Sequence, residues 1–138
     1  MKSSDRVFVD TGAWVALAVA TDPLHRRAVD EWKVLVGQGS RLVSSVPVVL
    51  ETFTFLDRRT SHATAMTWRE SLSRVKRFEI VPCESADLEA AWPWLDDPSF
   101  HRLSLVDATS FALMRRLRIQ RAWTYDTHFL QAGFRSAP

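Results

Sequence analysis

The sequence predicts an α/β domain built on a mostly parallel sheet with helices covering both faces. Three observations carry that prediction. Short apolar runs suited to strands alternate with longer segments of helical pattern along the whole chain. The first run, "RVFVD" at 6–10, is continuously apolar up to its closing aspartate, the pattern of a strand buried on both faces. Glycine is scarce (12, 37, 39 and 133), and no repeat, low-complexity tract or linker divides the 138 residues, which suit a single domain, 1–138, with one core.

The elements follow in order. "GAWVALAVA" (12–20) reads as a short buried helix. Asp22-Pro23 is expected to open the second helix, with aspartate as N-cap and proline at the first position. Leu24, Ala28, Trp32, Leu35 and Val36 share one face of it, and "GQG" (37–39) ends it. "RLVSS" (41–45) is the second strand. After Pro47, "VVLETFTFLDRR" is helical, with Val46, Val49, Leu50, Phe53 and Leu56 on one side. The next helix covers 61–76, with Ala63, Met66, Leu72 and Val75 inward, and "RFEIVPC" (77–83) is the third strand. "SADLEAAWPWLDD" (85–97) opens on Ser85 and Asp87 as capping signals, and Pro93 is expected to kink or end it. "SLVDATSFALMRRLR" (104–118) is the clearest helix, with Leu105, Ala108, Ala112, Leu113 and Leu117 inward. "IQRAWTY" (119–125) makes a fourth strand, and "DTHFLQAG" (126–133) a last helix closed by Gly133.

A lone cysteine, Cys83, excludes an internal disulfide and suits a reducing compartment. The start, "MKSSDRVFVD", has only three apolar residues before Asp10, against the roughly 7–15 of a signal core. The longest apolar run, "AWVALAVA" (13–20), is too short to span a membrane. A soluble, cytoplasmic protein is expected. Net charge is only +2, but 15 of the 18 basic residues are arginine. Arginine binds phosphate bidentately and stacks on bases, which leans towards a nucleic-acid partner; a GC-rich genome produces the same bias.

Ligands of open α/β sheets bind beyond the carboxyl ends of the strands. Four acidic residues fall there: Asp10 closes strand 1, Glu51 lies one turn into the helix after strand 2, Asp107 is in the first turn of helix 104–118, and Asp126 follows strand 4. Each has an ordinary alternative. Asp10 can cap the helix that begins at Gly12, Glu51 can be a solvated helix residue, Asp107 can complete a capping box with Ser104, and Asp126 can cap the last helix. If the four converge, carboxylates about 5 Å apart repel by roughly 3 kcal/mol per pair at an effective dielectric near 20. Some must then protonate, or a cation must sit among them. An all-oxygen set selects Mg²⁺ or Mn²⁺ over zinc, and such ions activate water against phosphodiesters. His128, two residues after Asp126, reads as a packing or surface residue, although a role on a proton is open.

"VFVDTGAWVAL", "SSVPVVLETFTFL", "LSLVDATSFALMRR" and "AWTYDTHFLQAGF" resemble, in order and spacing, the four motif regions of the PIN-domain family, from about Val7 to Phe134. The resemblance implies a three-layer α/β/α sandwich and a metal-dependent ribonuclease, with one or two Mg²⁺ or Mn²⁺ ions held by Asp10, Glu51, Asp107 and Asp126. It implies that Thr11 and Thr124 orient a carboxylate or water beside them. Many small members of the family are toxin halves of toxin–antitoxin pairs. The implied partners are therefore an RNA substrate and an antitoxin protein, with a homodimer also in view. The basic run Arg115, Arg116, Arg118 and Arg121 is expected beside the site, either on RNA phosphates or as a solvated helix end. The tail after Phe134 leaves room for only a truncated last strand.

Two enzyme classes fall away. Asp10-Thr11-Gly12 matches the aspartic-protease triplet, but those enzymes need two such triplets on a glycine-rich all-β fold. A haloacid-dehalogenase-type phosphatase wants a second aspartate two residues after the first, where this chain has Gly12. The remaining alternative is a catalytically idle PIN fold acting as an RNA-binding or interaction module. All four acidic positions are filled, which argues against it.

Overall fold

The computed structural model describes residues 6–138, so the first five residues of the segment read for a leader lie outside it. The elements are β1 (Arg6–Val9), α1 (Thr11–Ala18), α2 (His25–Gly37), β2 (Arg41–Ser45), α3 (Val46–Arg59), α4 (His62–Leu72), β3 (Phe78–Val81), α5 (Ser85–Asp96), α6 (Leu105–Leu117), β4 (Arg121–Trp123), α7 (His128–Gln131) and β5 (Arg135–Ser136). The sheet order is β3-β2-β1-β4-β5, and every neighbouring pair is parallel.

That order dictates the layers. Parallel crossovers are right-handed. The chain steps outwards from β1 to β2 to β3, which puts α1–α4 on one face. It then returns to β4 on the other side of β1 and on to β5, which puts α5–α7 on the opposite face. The aromatic packing agrees. Trp14 meets Trp32, Trp68 and Phe78 in one layer, with centroids 5.6–6.0 Å apart. Phe111 meets Trp94, Phe100, Phe129 and Phe134 in the other. Val7, Phe8 and Val9 of β1 are fully buried between them. The result is the α/β/α sandwich that the alternating pattern and the family resemblance both imply. Among the described residues, no helix is long and apolar enough to cross a membrane.

Several elements depart from the sequence reading, each for a physical reason. Asp22-Pro23 does not open α2. The Asp22 carboxylate accepts from Leu24 N–H (2.8 Å), which makes a turn, and the helix starts at His25. In α3 the buried residues are Val48, Thr52 and Leu56, whereas Val46 and Leu50 are 43% and 63% exposed. Thr52 goes inside because its hydroxyl donates to Val48 C=O (2.7 Å), leaving only its methyl to be packed. In α4, Ala65, Trp68 and Leu72 are buried while Ala63 is exposed. In α2, Val36 faces out at 55% exposure, and in α6 Leu105 does so at 40%.

Pro93 does not end α5, which continues one turn further to Asp96. That turn is held by Trp94, packed on Phe111 (5.4 Å) and under the Arg115 guanidinium (4.7 Å). At the amino end of α5, Glu84 rather than Ser85 is the N-cap, and Asp87 returns a bond to Glu84 N–H (2.9 Å). The third and fourth strands are shorter than their apolar runs. β5 is the two-residue stub that the short tail allows.

Candidate active site

The cleft at the carboxyl edge of the sheet is about 550 Å³ and is lined by Asp10, Thr11, Gly12, Glu51, Ser104, Asp107, Tyr125, Asp126 and Thr127. All four acidic residues singled out in the sequence line it. A larger cleft of about 650 Å³ lies against Trp14, Trp32 and Trp68, but its wall is apolar and Arg74 is its only charged residue. Of the two, the acidic cleft is the one whose lining suits acid–base or phosphate chemistry.

Each element delivers its carboxylate by a local device. β1 ends as Asp10 N–H donates to Trp123 C=O (3.1 Å). Behind it, Ser44 Oγ donates to Val9 C=O (3.0 Å) and accepts from Trp14 Nε1 (3.3 Å), which pins the strand end in the core. Asp10 occupies the N-cap position of α1, yet its side chain makes no capping bond and its carboxylate faces the cleft. β2 passes directly into α3, capped by Ser45 Oγ accepting from Val48 N–H (3.2 Å), and this carries Glu51 to the same rim. Ser104 Oγ caps α6 by accepting from Asp107 N–H (3.0 Å). No return bond from Ser104 N–H to the Asp107 carboxylate is found among the described residues, so that carboxylate too is left for the cleft.

Thr124 ties two of these elements together. Its hydroxyl donates to Asp10 Oδ2 (2.9 Å) and accepts from Asp126 N–H (3.0 Å). One hydroxyl thus sets the position of Asp10 and the turn that presents Asp126. Asp126 Oδ1 accepts from His128 N–H (2.9 Å), so part of its capping alternative is realised at the same time. Beside the cleft, Glu31 on α2 accepts from Tyr125 Oη (2.5 Å) and Trp123 Nε1 (3.1 Å), anchoring the loop after β4.

The electrostatics are those of crowded acid groups. Asp10 is 5% exposed, and its carboxyl is pushed up to about 7. Burial is the main cause and the charges of Glu51 and Asp126 add to it; bonds from Thr124 and the Thr11 backbone oppose it. Asp107 is pushed up to about 8 by burial, then by Asp10, by a hydrogen bond shared with Asp126, and by the Asp126 and Glu51 charges. Two atoms in this region, Asp10 Oδ1 and Thr11 Oγ1, are buried without any hydrogen-bond partner. Unmet oxygen atoms among carboxylates that resist ionising are donors that a cation could use.

Asp107, Asp126 and His128 each offer a ligand atom within 4.8 Å of the others. His128 is thus brought closer to the acidic group than its sequence reading supposed. Its Nδ1 lies 2.9 Å from Asp126 Oδ1, and its Nε2 is 2.7 Å from His101 C=O. The only sequence signal for it was its place two residues after Asp126. An oxygen-rich set with one imidazole at its margin fits a hard divalent cation.

The arginine run does not line this cleft. α6 begins at the cleft and ends at Leu117, so at 1.5 Å per residue Arg115 and Arg116 lie about 12 Å or more along its axis from Asp107. Arg115 covers Trp94, and Arg116 is spent on Asp87 (2.8 and 2.9 Å). Arg118 is the left-handed C-cap of α6 (φ 58°), and Arg121 opens β4 at the opposite edge of the sheet.

The chain is 42% identical over 130 residues to the 23S rRNA-specific endonuclease VapC20 of Mycobacterium tuberculosis, covering 93% of this chain and 95% of that protein. The crystal structure of M. tuberculosis VapC20, described as a sarcin-ricin loop cleaving toxin, superposes with a TM-score of 0.81 at 34% identity, covering 93% and 95% of the two chains. FitAcB from Neisseria gonorrhoeae (TM-score 0.69, 15% identity, 96% of each chain) shares the fold. VapBC2 from Rickettsia felis, solved on a promoter DNA fragment, shares it too (0.70, 10%, 95% and 96%). The model of the PIN domain matches residues 7–135, from the first buried strand to the last, and the chain belongs to the PIN domain family.

Proposed function

We propose that this protein is an endoribonuclease that hydrolyses RNA phosphodiester bonds in the acidic cleft with Mg²⁺ or Mn²⁺, and that it is the toxin of a toxin–antitoxin pair. The observation that carries the reading is the convergence of Asp10, Glu51, Asp107 and Asp126 from four separate elements on one cleft, two of them held above the usual carboxylate range. The likeness to VapC20, which spans nearly all of both chains, supports large-subunit ribosomal RNA as the substrate and an antitoxin as the partner.

Asp10, Asp107 and Asp126, with Glu51 across the cleft and His128 at its margin, would hold one or two ions. A bound divalent ion supplies an activated water and neutralises charge on the phosphate. The rest is done by the chain. Thr124 holds Asp10 and the Asp126 turn in a fixed relation, so the donor set is assembled before substrate arrives. Asp10 is only 5% exposed, so its carboxylate has little contact with bulk water. Asp107 and Asp126 bring carboxylate oxygens within 4.8 Å of each other, so the two would face one ion together.

The test is RNA cleavage with Mn²⁺ by the natural chain and by Asp107→Asn. The substitution keeps the shape of the side chain and the α6 backbone cap while removing one charge. Loss of several kcal/mol of transition-state stabilisation is a rate decrease of about 10³-fold. Equal rates for the two proteins would sink the proposal.

A further inference from the structure

The edge of the sheet opposite the acidic cleft has its own pattern. Four of the five strands begin with arginine and the fifth directly follows one: Arg6 opens β1, Arg41 opens β2, Arg77 directly precedes β3, Arg121 opens β4 and Arg135 opens β5. With 15 arginines in 138 residues, composition alone does not put one at or directly before all five starts. Arg6 pairs with Arg41 in register, and Leu42 N–H donates to Arg77 C=O (2.8 Å), so Arg77, Arg41 and Arg6 lie side by side on adjacent strands. Strand spacing sets their backbones about 4.8 Å apart. The three line one cleft of about 350 Å³ with Leu42, Val43, Phe78 and Glu79. Arg121 pairs in register with Val7, and Arg135 with Arg121, and so the two extend the same edge on the other face of the sheet.

These charges are not used up inside the fold. Among the described residues, none of the five arginines has a carboxylate within 4.0 Å. Arg6 donates to Leu117 C=O and Arg77 to Gly39 C=O (3.0 Å), which orients each guanidinium and leaves most of its five donors free. Arg135 donates to Gln120. Among the described residues, Glu79 is the one acidic residue lining the cleft, and Asp5 adjoins the row in sequence. A row of like charges without counter-ions destabilises the folded state unless a polyanion relieves it. Guanidinium groups held side by side suit a chain of phosphates, each of which takes a bidentate pair of N–H donors.

We propose that this arginine edge is a second RNA-binding surface, which grips the phosphate backbone of a folded RNA away from the scissile bond. The strands between the two edges are three to five residues long, so the edges are about 15 Å apart. A folded RNA can span that separation. The binding claim stands without the nuclease reading; its role in presenting substrate rests on it.

The test measures binding of a labelled RNA hairpin of about 30 nucleotides as a function of salt, in the Asp107→Asn background, where cleavage plays no part. Arg41→Gln/Arg77→Gln should weaken binding at least tenfold at 0.1 M salt. It should also lower the slope of log K against log [salt] by about 1.4–1.8, the loss of two phosphate contacts. Arg41→Lys/Arg77→Lys, which keeps the charge, should restore the slope. Arg26→Gln/Arg58→Gln, which removes equal charge from exposed helical positions elsewhere, should leave it within 0.5 of the parent. The proposal is overturned if the first variant, melting within 2 °C of its parent, keeps the parent slope, or if both double glutamine variants lower it equally. It is overturned also if the edge variant loses poly-glutamate binding but not RNA binding, for the edge would then dock an acidic protein. Failure of the nuclease reading looks different: no cleavage by the natural chain, with the slope difference intact.

Discussion

Thr124 shows how much one side chain can hold. Among the described residues, its hydroxyl is the one hydrogen-bonded link between the carboxylate at the end of β1 and the turn after β4. Thr124→Val keeps the volume and removes both bonds. It should lower metal affinity or cleavage about 10–100-fold, as loss of groups that orient metal ligands does. It should cost about 1–2 kcal/mol of stability, because Asp126 N–H loses its acceptor. Metal titration followed by melting, beside cleavage kinetics, reads both effects; unchanged affinity would remove Thr124 from the site. The acidic residues themselves were legible from position, since each closes a strand or opens the helix after one. What the sequence could not separate was capping from chemistry at Asp10 and Asp107, where the choice depends on which way a carboxylate turns. The arginines show the opposite failure. Arg115, Arg116, Arg118 and Arg121 are close to Asp107 in sequence, but the helix between carries them away from the cleft, whereas Arg6, Arg41 and Arg77 are far apart in sequence and adjacent in space.

Among the elements, α5 and α6 are joined by an ion pair between buried Asp87 and the solvent-facing Arg116. Arg116 Nε and Nη2 reach the two oxygens of Asp87, which is 2% exposed. The paired guanidinium holds the Asp87 carboxyl below the usual carboxylate range, against the opposing effect of burial. Arg116→Met strands that buried charge and should cost about 2–3 kcal/mol, the range for a hydrogen bond to a charged group, or roughly 8 °C in melting temperature. Because the folded carboxyl ionises more readily than the unfolded one, the stability it lends is complete above pH about 4 and is lost as pH falls through its lowered value. The natural chain should therefore lose more stability than Arg116→Met between pH 4 and pH 2; equal losses in urea titrations would show that the pair contributes nothing. Sequence pattern located α5 and α6 well but not this lock, since Asp87 read as a capping residue and Arg116 as part of a basic run. Faces were misjudged for a related reason. Periodicity counts Thr52 as polar and Leu50 as apolar, while the fold buries the threonine whose hydroxyl finds a carbonyl and exposes the leucine.

At the scale of the molecule, the sheet is polar along its strands, with the acid cluster at the carboxyl edge and the arginine row at the amino edge. The acidic edge makes the whole fold sensitive to pH in a direction opposite to that of Asp87. In the folded chain burial pushes the carboxyls of Asp10 and Asp107 up to about 7 and about 8, against 3.8 for an ordinary aspartate. Below pH about 4 both folded and unfolded chains hold these protons, and the groups favour neither. Between pH 4 and 7 the unfolded chain has released them and the folded chain has not. Stability of the metal-free protein then falls with rising pH, by up to about 1.4 kcal/mol per unit for each proton retained. Above pH 8 both states are ionised and the loss is complete. A divalent cation competes with the same protons, so its stabilisation should be small at pH 6 and should grow until about pH 8. Melting curves with and without Mg²⁺ from pH 5 to 9 test this directly. A metal-free melting temperature that rises between pH 5 and 8, or a Mg²⁺ shift that ignores pH, would contradict it. Asp107→Asn should remove one of the two contributions to the metal-free slope, leaving that of Asp10, and should reduce the Mg²⁺ shift at the same time, because Asp107 contributes to both.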